Sequence, residues 1–307
     1  MLRAGTLLAG ALLLSGAVHA AEPGWRLAEV FGERGRGRTE LREPVDVALA
    51  PGGDVAVLDR EREAVVIFSG AGKWRRTLGG PRGEGQLRLQ RPTALAVDGA
   101  GRFWVVDSGN HRLVVFDEAG EVFQTVGELG SRDGRFRHPS DVAFDRKGRV
   151  YVADTGNDRV QVFDVDGRFL ASWDRRTGGR RDHLERPERL AFSERGRGEL
   201  WVLNRGWSRL EQFNVEGDWE ASLPLEERVE GELEPVDLEI EPAFYRLFVA
   251  DAAGGRVLAF DRNGRPRGEI RGPEPGGMIP AGLAVNRRMD VFVVDAAGAR
   301  VLRFETQ

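Results

Sequence analysis

Six prolines stand at nearly even spacing along this chain: Pro44, Pro92, Pro139, Pro187, Pro235 and Pro280, at intervals of 48, 47, 48, 48 and 45 residues. A fixed period of that length marks one supersecondary unit copied along an array, since each copy needs its neighbours to cover its apolar faces. The stretch Pro139–Asp164, PSDVAFDRKGRVYVADTGNDRVQVFD, shows the unit most clearly. Val142–Asp145 is a short run, Arg146–Gly148 a turn, Val150–Asp154 a second run, TGN a polar loop and Arg159–Phe163 a third run. The turn VDG then leads into a fourth, Arg168–Trp173. Four antiparallel strands in about 48 residues make one propeller blade. The nearly all-apolar run YVAD suits a strand covered on both faces.

The chain ends decide the blade number. The sixth unit gives Gly282–Val285, Asp290–Asp295 and Arg300–Phe304, and then stops at Gln307 without a fourth strand. Residues 25–31, WRLAEVF, form a spare strand ahead of the first unit. If this strand completes the last blade, both termini are tied down and the ring has no open seam. The expected fold is therefore all-β, a six-bladed propeller of four antiparallel strands per blade, with the last blade closed by 25–31. Strand direction alternates, so the tight Gly-bearing turns share one face of the disc. The longer, charged loops share the other, where binding residues are expected.

The chain opens MLRAGTLLAGALLLSGAVHA, with Arg3, an apolar centre at Leu7–Leu14 and a small-residue end at Ala20. This reads as an export signal over residues 1–20, leaving 21–307 as a single propeller in the periplasm or outside the cell. There is no cysteine, so neither a disulfide framework nor a cysteine-linked lipid is available. The formal charge of −4 and the export signal argue against nucleic acid, and no second apolar run is long enough for a membrane span.

Each apolar second run ends in Asp or Asn: Asp59, Asp107, Asp154, Asn204, Asp251 and Asp295. Five residues later stand Arg112, Arg159, Arg209, Arg256 and Arg300, while the first unit has Ala64. Pairs Asp107–Arg112, Asp154–Arg159, Asp251–Arg256 and Asp295–Arg300 read as architectural, because one ligand needs no such copying. Two residues after each entry proline come Asp46, Ala94, Asp141, Arg189, Asp237 and Gly282, near the channel. Asp46, Asp141 and Asp237 can converge on Ca²⁺ or another divalent cation, or each can bond its own backbone turn. No other cofactor is expected.

Trp207 replaces the loop Asn in NRGWSR and is a candidate anchor for a ligand. The linker 174–187 carries Arg175, Arg176, Arg180 and Arg181, whereas 224–235 is rich in Glu, so basic and acidic sectors adjoin. His111, His138 and His183 lie on separate loops at non-equivalent positions, and no convergence is expected of them. His111, Trp207 and the four arginines make up the expected binding face. No Ser stands where a positioned His and acid would meet it.

With the units aligned, the chain resembles the NHL-repeat propellers. The resemblance rests on PSDVAFDRKGRVYVADTGNDRVQVFDVDG and PTALAVDGAGRFWVVDSGNHRLVVFDEAG, with D-A-A-G-x-R kept in the last two units. DREREA in unit one and NRGWSR in unit four depart from it. The family implies binding and scaffolding, including extracytoplasmic modules. The expectation is thus a non-catalytic platform for a protein, peptide or glycan, favoured over an enzyme. The alternative is a metal-dependent hydrolase or lyase at the channel mouth. Amidating lyases resemble the chain, but their zinc histidines follow the entry prolines, where Val45, Thr93, Ser140, Glu188, Val236 and Ala281 stand here. Sugar lactonases are similar in ring size, and Glu43, Asp141 and Asp237 match part of their metal set. The asparagines of that set have no counterpart at these blade entrances.

Overall fold

The computed structural model describes residues 24–80, 87–173, 184–194, 196–241, 243, 245–273 and 277–307. The expected signal segment, the linker bearing Arg175, Arg176, Arg180 and Arg181, and His183 lie outside them.

Six four-stranded antiparallel sheets form the ring. The first strands are Pro44–Leu49, Ala94–Val97, Asp141–Phe144, Pro187–Ser193, Pro235–Glu241 and Pro280–Val285, one for each of blades 1 to 6. These innermost strands pack side by side around the axis, with the sixth against the first. Five blades run outward in chain order, and in the last the spare strand Trp25–Phe31 takes the fourth place. It pairs antiparallel with Arg300–Thr306, from Trp25 opposite Thr306 to Phe31 opposite Val301. The closure expected from the missing strand is the closure observed.

Apolar residues gather in six clusters, one in each seam between neighbouring blades. The first combines Ala56, Leu58 and Ile67 of blade 1 with Phe103, Val105 and Phe116 of blade 2. Middle strands such as Val55–Asp59 and Val150–Asp154 are buried throughout, because a blade is covered on both sides. Outer strands alternate or are exposed, as in Val122–Val126.

Phe31 is 1% exposed and stacks on Phe292 at 6.1 Å in the seam between blades 6 and 1. Phe31→Ala is expected to cost about 3–5 kcal/mol, through lost burial and the cavity left behind. Chemical denaturation measures this. A loss no larger than that of an exposed-residue control would mean that the closing strand contributes little.

The second-to-third loops of blades 2, 3 and 4 contain three-residue 3₁₀ turns: Ser108–Asn110, Thr155–Asn157 and Arg205–Trp207. Each ends on a left-handed residue, His111, Asp158 or Ser208. Gly156 is required in this loop by close approach, since a Cβ there would stand 2.5 Å from the carbonyl oxygen of Arg137. No helix among the described residues is long and apolar enough to cross a membrane.

Candidate active site in the central channel

The repeated Asp/Arg pairs hold the loops between the second and third strands. Asp154 is fully buried and accepts the Arg137 backbone N–H at 2.7 Å, Asn157 Nδ2 at 2.8 Å, Arg159 Nε at 2.7 Å and Gln161 Nε2 at 2.9 Å. Arg112, Arg256 and Arg300 make the same Nε contact to Asp107, Asp251 and Asp295, at 2.8, 2.9 and 2.9 Å. Where unit one lacks the arginine, the Arg62 guanidinium reaches the carbonyls of Gly37 and Glu40 instead. In blade 4, Asn204 carries no charge, and Arg209 pairs with the buried Glu211 at 2.8 Å.

In blades 1, 3 and 4 the loop residue after the run-end Asp or Asn fastens the next blade. Arg60 donates to the Pro92 carbonyl, Thr155 to that of Pro187 and Arg205 to that of Pro235. Thr155 Oγ1 also lies 2.6 Å from Ser140 Oγ. The His138 N–H donates to His111 Nδ1 at 3.0 Å, as the Arg186 N–H donates to Asp158 one blade on. The two imidazoles meet edge-on at 4.4 Å. This contact crosses a seam, which is why separate loops in the sequence gave no sign of it. Burial, then the His138 and Arg137 charges, lower the His111 pKa. Trp207 is 42% exposed, with the Arg209 guanidinium 4.9 Å over its ring.

Two residues inside the entry prolines lies a charged tier. Asp46 accepts the Val47 N–H at 2.8 Å and, across the seam, the Leu95 N–H at 2.7 Å. Asp141 repeats this with Val142 and Leu190, and Asp237 accepts the Leu283 N–H at 2.7 Å. Each acid therefore latches its blade to the next, binding 1 to 2, 3 to 4 and 5 to 6. Arg189 spans three blades, donating to the carbonyls of Ser140 and Val236 while its Nε stands 3.4 Å from Asp237 Oδ1. The three carboxylates thus spend their oxygens on backbone N–H groups. Among the described residues no three His, Cys, Asp or Glu side chains form a group able to hold a metal ion. Glu43 is likewise engaged, pairing with Arg60 at 2.7 Å. This donor set does not fit a preformed cation cage.

Beside this tier opens a cavity of about 270 Å³. It is lined by Asp46, Asp141 and Asp237, then by Ala48, Ala96, Ala143, Ala191, Ala284 and Glu239. Those last six occupy one equivalent position, the fourth after each entry proline. Five are alanine and one is glutamate. Glu239 was missed as a candidate, although the lone break in an otherwise all-alanine ring is visible in the sequence.

Burial away from water pushes every one of these carboxyls upward. Asp237 is raised to about 6, with Arg189 pulling against burial. Asp141 is raised to about 7 by burial, again opposed by Arg189. Glu239 reaches about 8, through burial and then the charges of Asp237 and Asp141. Asp46 lies well above the ordinary range, through burial and then Asp237 and Asp141. The cavity thus holds acids that exchange protons near neutral pH.

The NHL repeat model matches residues 89–116 and 136–163, in blades 2 and 3. The chain is a six-bladed β-propeller bearing NHL repeats. No curated protein matches this chain. Solved structures do. Virginiamycin B lyase from Staphylococcus aureus is 14% identical, with 92% of this chain and 88% of that chain covered and a TM-score of 0.61. A streptogramin B lyase is 15% identical, covering 94% and 89%, with a TM-score of 0.62. A gluconolactonase from Xanthomonas campestris is 15% identical, covering 92% and 99%, with a TM-score of 0.66. The expectation of a non-catalytic platform is corrected by these matches, which are to lyases and a lactonase. At such identity the likeness itself extends to the fold.

Proposed function

We propose that this propeller is an acid–base lyase or lactonase acting on a compact small molecule in its central channel. The observation that carries the reading is the pair Asp237 and Glu239, two channel-lining carboxyls on one strand with different proton affinities. A default active site is a concave cavity that holds convergent, perturbed titratable groups, and this channel is one. Its volume of about 270 Å³ suits a molecule of sugar size rather than a peptide or glycan chain. The solved lyases and lactonase of the same fold support the same class.

The roles follow from charge. Asp237 faces Arg189 and is ionised at neutral pH, so it serves as the base. Glu239 is protonated there and serves as the acid. In an elimination, Asp237 takes a proton from carbon as the double bond forms. The C–O bond breaks and Glu239 gives its proton to the departing oxygen. In lactone hydrolysis, Asp237 takes the proton of the attacking water and Glu239 protonates the ring oxygen as it leaves. Arg189 holds Asp237 in its ionised form.

The test is a panel of small lactones and cyclic esters, followed by mass spectrometry. Hydrolysis adds one water to the product, whereas elimination gives an isomer with a new alkene. Absence of turnover across the panel would sink the reading. Where turnover is found, kcat should rise through about 6 as Asp237 ionises and fall through about 8 as Glu239 loses its proton. Glu239→Gln should cost about 10²–10⁴-fold in kcat and remove the alkaline limb. A profile without an acidic limb near 6 or without an alkaline limb near 8 would exclude this assignment of acid and base.

A further inference from the structure

We infer that the channel is filled from the tight-turn face, because the charged tier closes it as a septum on the loop-rich side. The inference rests on the reading of the channel as the reacting site for what enters, but not for where it enters.

Contacts at this level tie five of the six seams. Asp46 fastens blade 1 to the Leu95 N–H of blade 2. Asp141 fastens blade 3 to Leu190 of blade 4, and Asp237 fastens blade 5 to Leu283 of blade 6. Arg189 lies across from blade 4 to Ser140 of blade 3 and Val236 of blade 5. At the closing seam, a Cβ on Gly282 would stand 2.7 Å from Asp46 Cα, so the backbones of blades 6 and 1 are pressed together there. Ala94, 1% exposed, fills the same level in blade 2.

The cavity lies on one side of this closure. Its walls come from positions two to five after the entry prolines, and the residues directly after the prolines, such as Ser140, Glu188 and Val236, take no part. At its far end stand Leu49, Val97, Phe144, Phe192 and Val285. All five are apolar yet only half-buried, at or near the strand ends where the tight turns begin. A closed interior would bury them fully, so this collar is the opening. It selects for the ligand as well. The polar, reacting end must reach Asp237 and Glu239, and an apolar end rests in the collar.

The chain contains no cysteine, so a single introduced thiol reports access without interference. Glu239→Cys would be labelled with a small methanethiosulfonate and its rate read by intact mass. Val285→Trp, added at the collar, should slow labelling by an order of magnitude or more. Glu188→Trp, which puts the same bulk at the loop-rich mouth, should leave the rate unchanged. Should Glu239→Cys fail to fold, Ala96→Cys probes the same ring with a smaller change. Slowing by Glu188→Trp, or no slowing by Val285→Trp, overturns the inference. The labelling needs no turnover, so a failed substrate panel leaves this result intact, and equal rates here leave the pH profile untouched.

Discussion

Asp154→Ala is expected to lower the unfolding free energy by about 3–5 kcal/mol, because it removes the buried partner of a buried arginine. Asp154 is wholly inaccessible, and Arg159 beside it is 6% exposed. Removing the carboxylate leaves Arg159 with the half-exposed face of its site, Asp133 at 3.1 Å and the carbonyls of Arg132 and Arg135 at 2.9 Å. The amides of Asn157 and Gln161 and the Arg137 N–H lose their acceptor too. Blade 4 shows how an uncharged residue is tolerated here. Asn204 stands where Asp154 does, and Arg209 turns to Glu211, which occupies the position of Gln161. Asp154→Asn should therefore be costly alone and largely rescued by Gln161→Glu. Equilibrium denaturation of the single and double variants measures the coupling. Additive losses would show that the two blades do not share one design.

The sequence discloses part of this design and conceals the rest. The blades, their strands and the closing role of Trp25–Phe31 follow from proline spacing, run-end acids and the count of strands in the last unit, all of them patterns that repeat along the chain. The pairing of Asp107 with Arg112 and its copies is local too, since five residues span one loop. The latches are not local. Whether Asp46 bonds its own turn or the next blade depends on a seam that joins residues almost 50 positions apart. In fact it does both. His111 and His138 meet across another seam for the same reason. Glu239 was concealed differently. As strand residues, Glu and Ala in one repeat position look like ordinary variation. Only the ring, which turns that position toward the axis in all six blades, makes one acid among five alanines a chemical feature. Trp207 lies in a second-to-third loop, whereas the cavity is walled by the innermost strands.

Arg189→Met should produce a loss of stability that grows with pH. Arg189 lowers the pKa of Asp46, Asp141 and Asp237, opposing the burial that raises all three. A carboxyl whose folded pKa lies above its unfolded value of about 3.9 favours the folded state only while it stays protonated. As pH rises through and beyond the unfolded value, the unfolded chain sheds its proton first and stability falls, until the folded group ionises too. Removing Arg189 moves those folded values higher and extends the falling range upward. Near about pH 5 Asp141 and Asp237 are mostly protonated with or without the arginine, and the variant should lose chiefly the hydrogen bonds to Ser140 and Val236. Above about pH 8 Asp141 and Asp237 of the wild type are charged beside their cation, whereas the variant must ionise them unpaired, at a further cost of about 3–5 kcal/mol. Denaturant midpoints at the two pH values separate these contributions. The acidic limb of any activity should move upward in step, because Asp237 would then ionise later. A deficit equal at both pH values would mean that Arg189 acts as a brace alone, and the charge balance on which Asp237 depends as a base would fail with it.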